Sequence, residues 1–122
     1  VHTSLGQIRY LSSVAEVDAV VGNSSSGLLE VPSLKTPTVN IGDRQKGRLK
    51  ASSVVDSEPE ARQILAAIKE AFDLNCSGTI NPYGDGKTAP RVSKIISEID
   101  SPLSLVKKHF FDVSFEFNQE MI

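Results

Sequence analysis

Apolar positions follow helical spacing in three parts of this chain and gather into short β-branched runs in three others. Ile8, Leu11, Val14, Ala15 and Val17 recur on one helical face, which predicts a helix from about Leu5 to Val17. Ser4 and Gln7 ahead of it have the spacing of a capping box. Asp18 to Gly22 reads as a buried strand ending in glycine. Ser24 to Ser26 then offer an N-cap, and Gly27 to Leu34 continue as helix, which Pro32 kinks or ends early. Thr36 to Gly42 predicts a second strand, with Pro37 tolerated at its start. Ser53 to Asp56 is a third. Glu58-Pro59-Glu60 opens the next helix with acidic residues and proline in its first turn, and Ile64, Leu65, Ile68, Ala71 and Phe72 form its apolar face. Asn75 to Lys87 is rich in turn signals. Thr88 caps a last helix to about Ile99 that buries Val92, Ile95, Ile96 and Ile99, with Pro102 beyond its end. The segment from His109 to Phe117 alternates aromatic and polar residues near its end.

The order α-β-α-β-β-α-α predicts an α/β fold, a partial Rossmann-like parallel sheet with flanking helices. Right-handed crossovers make the strands at 18–22 and 37–41 parallel, with both carboxyl ends on one edge. Three strands are few for such a sheet, so neighbouring strands are expected outside the chain. Its start at Val1-His2-Thr3, without Met, points the same way, to a part of something longer.

Composition narrows the function. With 122 residues the chain is one domain at most. A formal net charge of −2 gives no electrostatic case for a nucleic-acid or membrane-surface binder. The one dense basic patch, Arg44 to Lys50, suits a small anion better than a long polyanion. A lone cysteine, Cys76, excludes a disulfide framework or a Cys-rich zinc site and fits a reducing, cytoplasmic setting. No apolar run approaches the about 18 residues of a membrane span, and the first residues lack the pattern of a signal peptide.

Parallel sheets bind ligands at the carboxyl ends of their strands. Here those ends are Gly22-Asn23-Ser24-Ser25 and Gly42-Asp43-Arg44. A glycine-and-serine turn opening a helix presents amides and hydroxyls to an anion, and Arg44 on the adjacent loop can add its guanidinium. Glu30 lies four residues after Ser26 on the same helical face, about 6 Å along the axis. That offset suits the hydroxyls of a ribose beside a diphosphate, so the set describes a nucleoside diphosphate site. The same residues also have plainer uses: serines cap helices, basic loops solvate, and a carboxylate sits on a helix surface. Asp85 reads as a turn residue, Cys76 as structural, and His2 and His109 have no local partner spacing. Chemistry alone reaches an anion-binding α/β half-domain.

Gly22-Asn23-Ser24-Ser25-Ser26-Gly27, then Glu30, then Pro37-Thr38-Val39-Asn40-Ile41-Gly42-Asp43-Arg44-Gln45-Lys46-Gly47-Arg48 closely resembles the hydrolysing UDP-N-acetylglucosamine 2-epimerases. The resemblance extends to Ser4-Leu5-Gly6, to Tyr83-Gly84-Asp85-Gly86 and to Arg91. It implies the second half of the C-terminal, UDP-binding domain of a glycosyltransferase-B-like fold over residues 1–113, with 114–122 an unassigned tail. By motif, Ser24 and Ser25 bind the UDP diphosphate, Glu30 the ribose hydroxyls, and Arg44 the phosphates or the sugar cleft, while the Leu5 backbone meets the uridine. The ligand implied is UDP or a UDP-N-acetylhexosamine, with no metal or cofactor.

The reaction implied is elimination of UDP to a 2-acetamidoglucal, then hydration to a free mannosamine or its 2,4-diacetamido-trideoxy analogue, which feeds synthesis of sialic or related nonulosonic acids. The family's acids and bases lie mostly in an N-terminal domain absent here, so no catalytic residue is named and the chain alone is expected to be inactive. An unpaired sheet edge and uncovered helix faces predict a homo-oligomer. Two other readings share the cradle: the C-terminal domain of a UDP-sugar glycosyltransferase, and a non-catalytic anion-binding module.

Overall fold

The structure, a computed structural model, describes residues 1–107 and 110–113. They fall into two compact units divided after Gly86. The first unit carries helix α1 (Gly6–Glu16), strand β1 (Val20–Gly22), the short helix α2 (Ser26–Leu29), a 3-10 helix (Val31–Leu34), strands β2 (Thr38–Ile41) and β3 (Val54–Ser57), and helix α3 (Ala61–Asp73). The three strands are parallel in the order β1-β2-β3, with Gly22 opposite Asn40 and Asn40 opposite Asp56. The fold is therefore α/β with a parallel, Rossmann-like partial sheet.

Alternation along β2 explains the layering, because successive side chains point to opposite faces. Val39, fully buried, packs with Ala67 and Ala71 of α3 and with Ala19, Ile41, Val55 and Ile68. Thr38 faces the other way, and its Oγ1 donates to the Gly27 carbonyl of α2 at 3.0 Å. Leu28 and Val31, both without exposed surface, fill that second layer. Thr36 Oγ1 donates to the Val14 carbonyl at 2.9 Å and ties the end of α1 to the entry of β2.

Pro32 acts as expected: α2 ends after one turn and passes into the 3-10 helix, with Pro32 in its first turn. Several local expectations are corrected. No capping box forms at α1. Gly6 bends the chain at φ +69°, and its own amide, not that of Gln7, donates to Ser4 Oγ, at 3.3 Å. Glu58 and Pro59 lie ahead of α3, whose N-cap is Glu60 in an extended conformation. Ile8 is exposed on α1. Leu65 and Phe72 are exposed as well, Phe72 by 61%. The cause is the narrow sheet: α3 packs on β2 and β3, and three strands cannot cover both flanks of a 13-residue helix.

The second unit, as far as it is described, holds helix α4 (Thr88–Ser97) and a 3-10 helix (Pro102–Leu105). Lys87, not Thr88, occupies the N-cap position of α4. Val92, Ile95 and Ile96, expected to be buried, are exposed, and Ile99 is half-buried. Burial needs a second layer, which the described part of this unit does not supply. Of the expected alternating segment, Phe110 to Val113 form no regular element. His109 and Ser114 to Phe117 lie outside the described residues.

Candidate functional site

The carboxyl ends of β1 and β2 are held together by the loop that leaves β2. That loop, Gly42 to Ser53, joins parallel strands through irregular backbone, so its path depends on side chains. Gln45 supplies the anchor. It is 2% exposed, and its Nε2 donates to the Asn23 carbonyl at 2.8 Å. The neighbouring Arg44, exposed, places Nη1 at 3.4 Å from the same oxygen. Two residues predicted to share an anion site, Arg44 and Ser24, thus lie on a loop and a turn joined at Asn23. One guanidinium nitrogen is directed at the turn itself, and the rest of the group faces solvent.

The serine turn is smaller than expected. Ser25 holds the N-cap position of α2 without a side-chain cap bond, and α2 has only four residues. A single turn carries little macrodipole, so what the turn can offer an anion is its amides and hydroxyls. Ser24 accepts from the Ser26 and Gly27 amides, at Oγ (3.4 Å) and at its carbonyl (3.2 Å), and the Ser25 carbonyl accepts from Leu28 at 3.0 Å. These bonds shape the turn without using the Ser24 and Ser25 hydroxyl hydrogens.

Glu30 closes α2 and opens the 3-10 helix, with its amide donating to the Ser26 carbonyl at 2.9 Å. Its carboxylate is exposed and carries no hydrogen bond or ion pair among the described residues. It lines a groove of about 500 Å³ together with Leu5, Gly6, Gln7 and Tyr10. Leu5 and Glu30, the two residues expected at the nucleoside end, therefore share one groove. Tyr10 joins this groove to the serine turn, since its hydroxyl lies 2.6 Å from Ser26 Oγ.

The basic loop is less free than its sequence suggests. Lys50 pairs with Asp56 at 2.5 Å, and Asn40 Nδ2 donates to the other oxygen of that carboxylate at 2.7 Å. Desolvation pushes the Asp56 carboxyl up, but the hydrogen bonds from Lys50 and Asn40 and the Lys50 charge outweigh it and hold the group below its ordinary value. Lys46 and Lys50 border a second hollow of about 420 Å³ at the ends of β2 and β3, with Asp43 and Glu58. Its mixed charge gives it little preference for an anion.

The sequence gives no structural role to Tyr10, and to Gln45 only a place in the motif from Pro37 to Arg48. Tyr10 sits on α1 among residues that read as an ordinary amphipathic face. Gln45 looks like one more polar residue in a basic loop, and only the fold buries it.

The UDP-N-acetylglucosamine 2-epimerase family model matches residues 1–97. The chain belongs to that family. Among curated relatives, the polysialic acid biosynthesis protein P7 of Escherichia coli is 38% identical over 108 residues, covering 85% of this chain and 28% of the relative. The GDP/UDP-N,N'-diacetylbacillosamine 2-epimerase (hydrolyzing) of Campylobacter jejuni is 54% identical over 55 residues, 45% of this chain and 14% of the relative. The UDP-N,N'-diacetylbacillosamine 2-epimerase (hydrolyzing) of Legionella pneumophila is 32% identical over 99 residues, 81% of this chain and 26% of the relative. The matches span between 14% and 28% of the length of these relatives.

Proposed function

We propose that this chain is the UDP-binding part of a hydrolysing UDP-N-acetylhexosamine 2-epimerase with a glycosyltransferase-B-like fold. The observation that carries the reading is the groove shared by Leu5, Tyr10 and Glu30, joined to the serine turn through the Tyr10–Ser26 contact. In this reading the uridine lies along the Leu5 backbone, the ribose hydroxyls donate to Glu30, and the diphosphate sits on Ser24 and Ser25 with Arg44 beside it.

In this reading the chain binds the leaving group. When the bond from the anomeric carbon to the diphosphate oxygen breaks, negative charge grows on UDP. Arg44 and the serine donors stabilise that charge where it develops, which lowers the barrier to departure. Loss of the proton at sugar C2 completes the elimination to the glucal. Water then adds across the double bond, giving the free 2-epimeric sugar. The proton transfers fall to groups elsewhere in the whole enzyme, so this chain alone turns nothing over. Names among the relatives favour N-acetylglucosamine or N,N'-diacetylbacillosamine as the sugar. The buried free thiol of Cys76 suits a cytoplasmic enzyme.

The test uses the full-length protein that carries this chain. Incubated with either UDP-sugar in D₂O, it should release UDP and a free 2-epimerised sugar with deuterium at C2. Transfer of the sugar to an added acceptor, without the free epimer, contradicts the proposal and favours a glycosyltransferase.

A further inference from the structure

We infer that Asn81 is a positioning residue that sets the direction of Glu30, an inference that rests on Glu30 being the acceptor for the ribose diol. The backbone at Glu30 changes from α to 3-10 geometry. In a continuing α-helix the Leu29 carbonyl would accept from the Ser33 amide. Here the Ser33 amide turns to the Glu30 carbonyl at 3.1 Å instead, because the chain tightens at Pro32. The Leu29 carbonyl is thereby left without a helical donor, one residue before the carboxylate that matters.

Asn81 supplies that donor from 52 residues away. Its Nδ2 donates to the Leu29 carbonyl at 2.8 Å and, with its second hydrogen, to Ser33 Oγ at 2.7 Å. The amide thus grips the chain on both sides of Glu30. Its own orientation is fixed, since Oδ1 accepts the Tyr83 amide at 2.9 Å. Tyr83 in turn donates its hydroxyl to the Leu49 carbonyl at 3.1 Å, within the loop that carries Arg44. Among the described residues the Glu30 carboxylate has no hydrogen-bond or ion-pair partner, so its direction follows from the backbone that carries it. The link Leu29–Asn81–Tyr83–Leu49 therefore couples the carboxylate to the basic loop, and the segment Asn81 to Tyr83 acts as a brace behind the groove.

The experiment follows ¹⁵N-labelled protein during titration with UDP and with 2′,3′-dideoxy-UDP, which lacks the diol. The unmodified chain should bind UDP about tenfold or more tightly than the dideoxy compound, the worth of a hydrogen bond to a charged group. Asn81→Asp keeps the shape and the acceptor for Tyr83 but loses both donors. It should bring the two affinities within about threefold, while binding of the dideoxy compound stays level. In a Glu30→Gln background, Asn81→Asp should cause no further loss of preference, which a general structural weakening would not reproduce. Asn81→Ala serves as the second variant. Full preference retained in either folded variant overturns the inference, as does loss of the folded spectrum in both, which would make Asn81 a fold residue alone. Absence of preference in the unmodified chain overturns the role of Glu30 itself, and is seen before any variant is compared.

Discussion

Gln45 and Asn23 meet across the carboxyl edge of the sheet, the buried Nε2 of one donating to the main-chain oxygen of the other at 2.8 Å. This contact turns an irregular basic loop into a fixed wall of the candidate site and carries Arg44 with it. Gln45→Ala leaves that carbonyl without its best donor and opens space beside it. A loss of about 1–3 kcal/mol is expected in urea denaturation, with weaker UDP binding. A variant within about 0.5 kcal/mol of the parent, the range of surface changes, would show that the loop is held some other way.

Gly27 tests the packing of α2 on the sheet. Glycine to alanine in a helix ordinarily gains roughly 1 kcal/mol. At this position a Cβ would lie 2.7 Å from Thr38 Cγ2. Thr38 cannot easily turn aside, because its Oγ1 is bonded to the Gly27 carbonyl. Gly27→Ala should therefore destabilise by about 1–3 kcal/mol. Thr38→Ser removes the obstructing methyl and keeps the hydroxyl, so the double variant should recover part of that loss. Simple additivity of the two changes would refute the steric explanation.

The Lys50–Asp56 pair predicts a pH dependence. The folded carboxyl of Asp56 lies below its ordinary value, so its stabilising contribution is fully present above the unfolded value of about 3.9. It is lost as pH falls through the lower, folded value. Lys50→Met should be less stable than the parent at neutral pH, and the gap should narrow as the solution is acidified past that window. The side-chain carboxyl signal of Asp56 should titrate at higher pH in the variant. A stability gap independent of pH would mean that Lys50 acts through its packing alone.

Much of the architecture is legible in the sequence, because it rests on local patterns. β-branched runs and a proline after a single helical turn produce the parallel sheet and the short α2. Apolar periodicity was a poorer guide to what is buried. Leu65 and Phe72 repeat correctly along α3, yet burial depends on how many strands lie beneath the helix, which periodicity does not encode. The charged and serine residues of the candidate site stand out in the sequence because their chemistry is local. Gln45, Tyr10 and Asn81 do not, because each acts on a residue distant in sequence and looks like an ordinary surface residue until the chain is folded.

The uncovered apolar residues of the first unit carry their own consequence. Val21 on an edge strand and Leu65 and Phe72 on α3 are exposed, and β1 and β3 are both sheet edges. Such surfaces favour association. Sedimentation velocity should show species larger than a monomer that grow with concentration, and Phe72→Glu should reduce them. A single monomeric species at all concentrations would count against a homo-oligomer.

The central claim is that Glu30 makes an anion site into a nucleotide site, and binding of UDP beside inorganic phosphate tests it most directly. Calorimetry on the 122-residue chain should show UDP binding well above phosphate. Glu30→Gln should cost about 1.5–3 kcal/mol of the UDP affinity and leave phosphate binding unchanged. Ser25→Ala and Arg44→Ala should weaken both ligands. Equal binding of UDP and phosphate, or a Glu30→Gln variant that binds UDP as the parent does, would contradict the account.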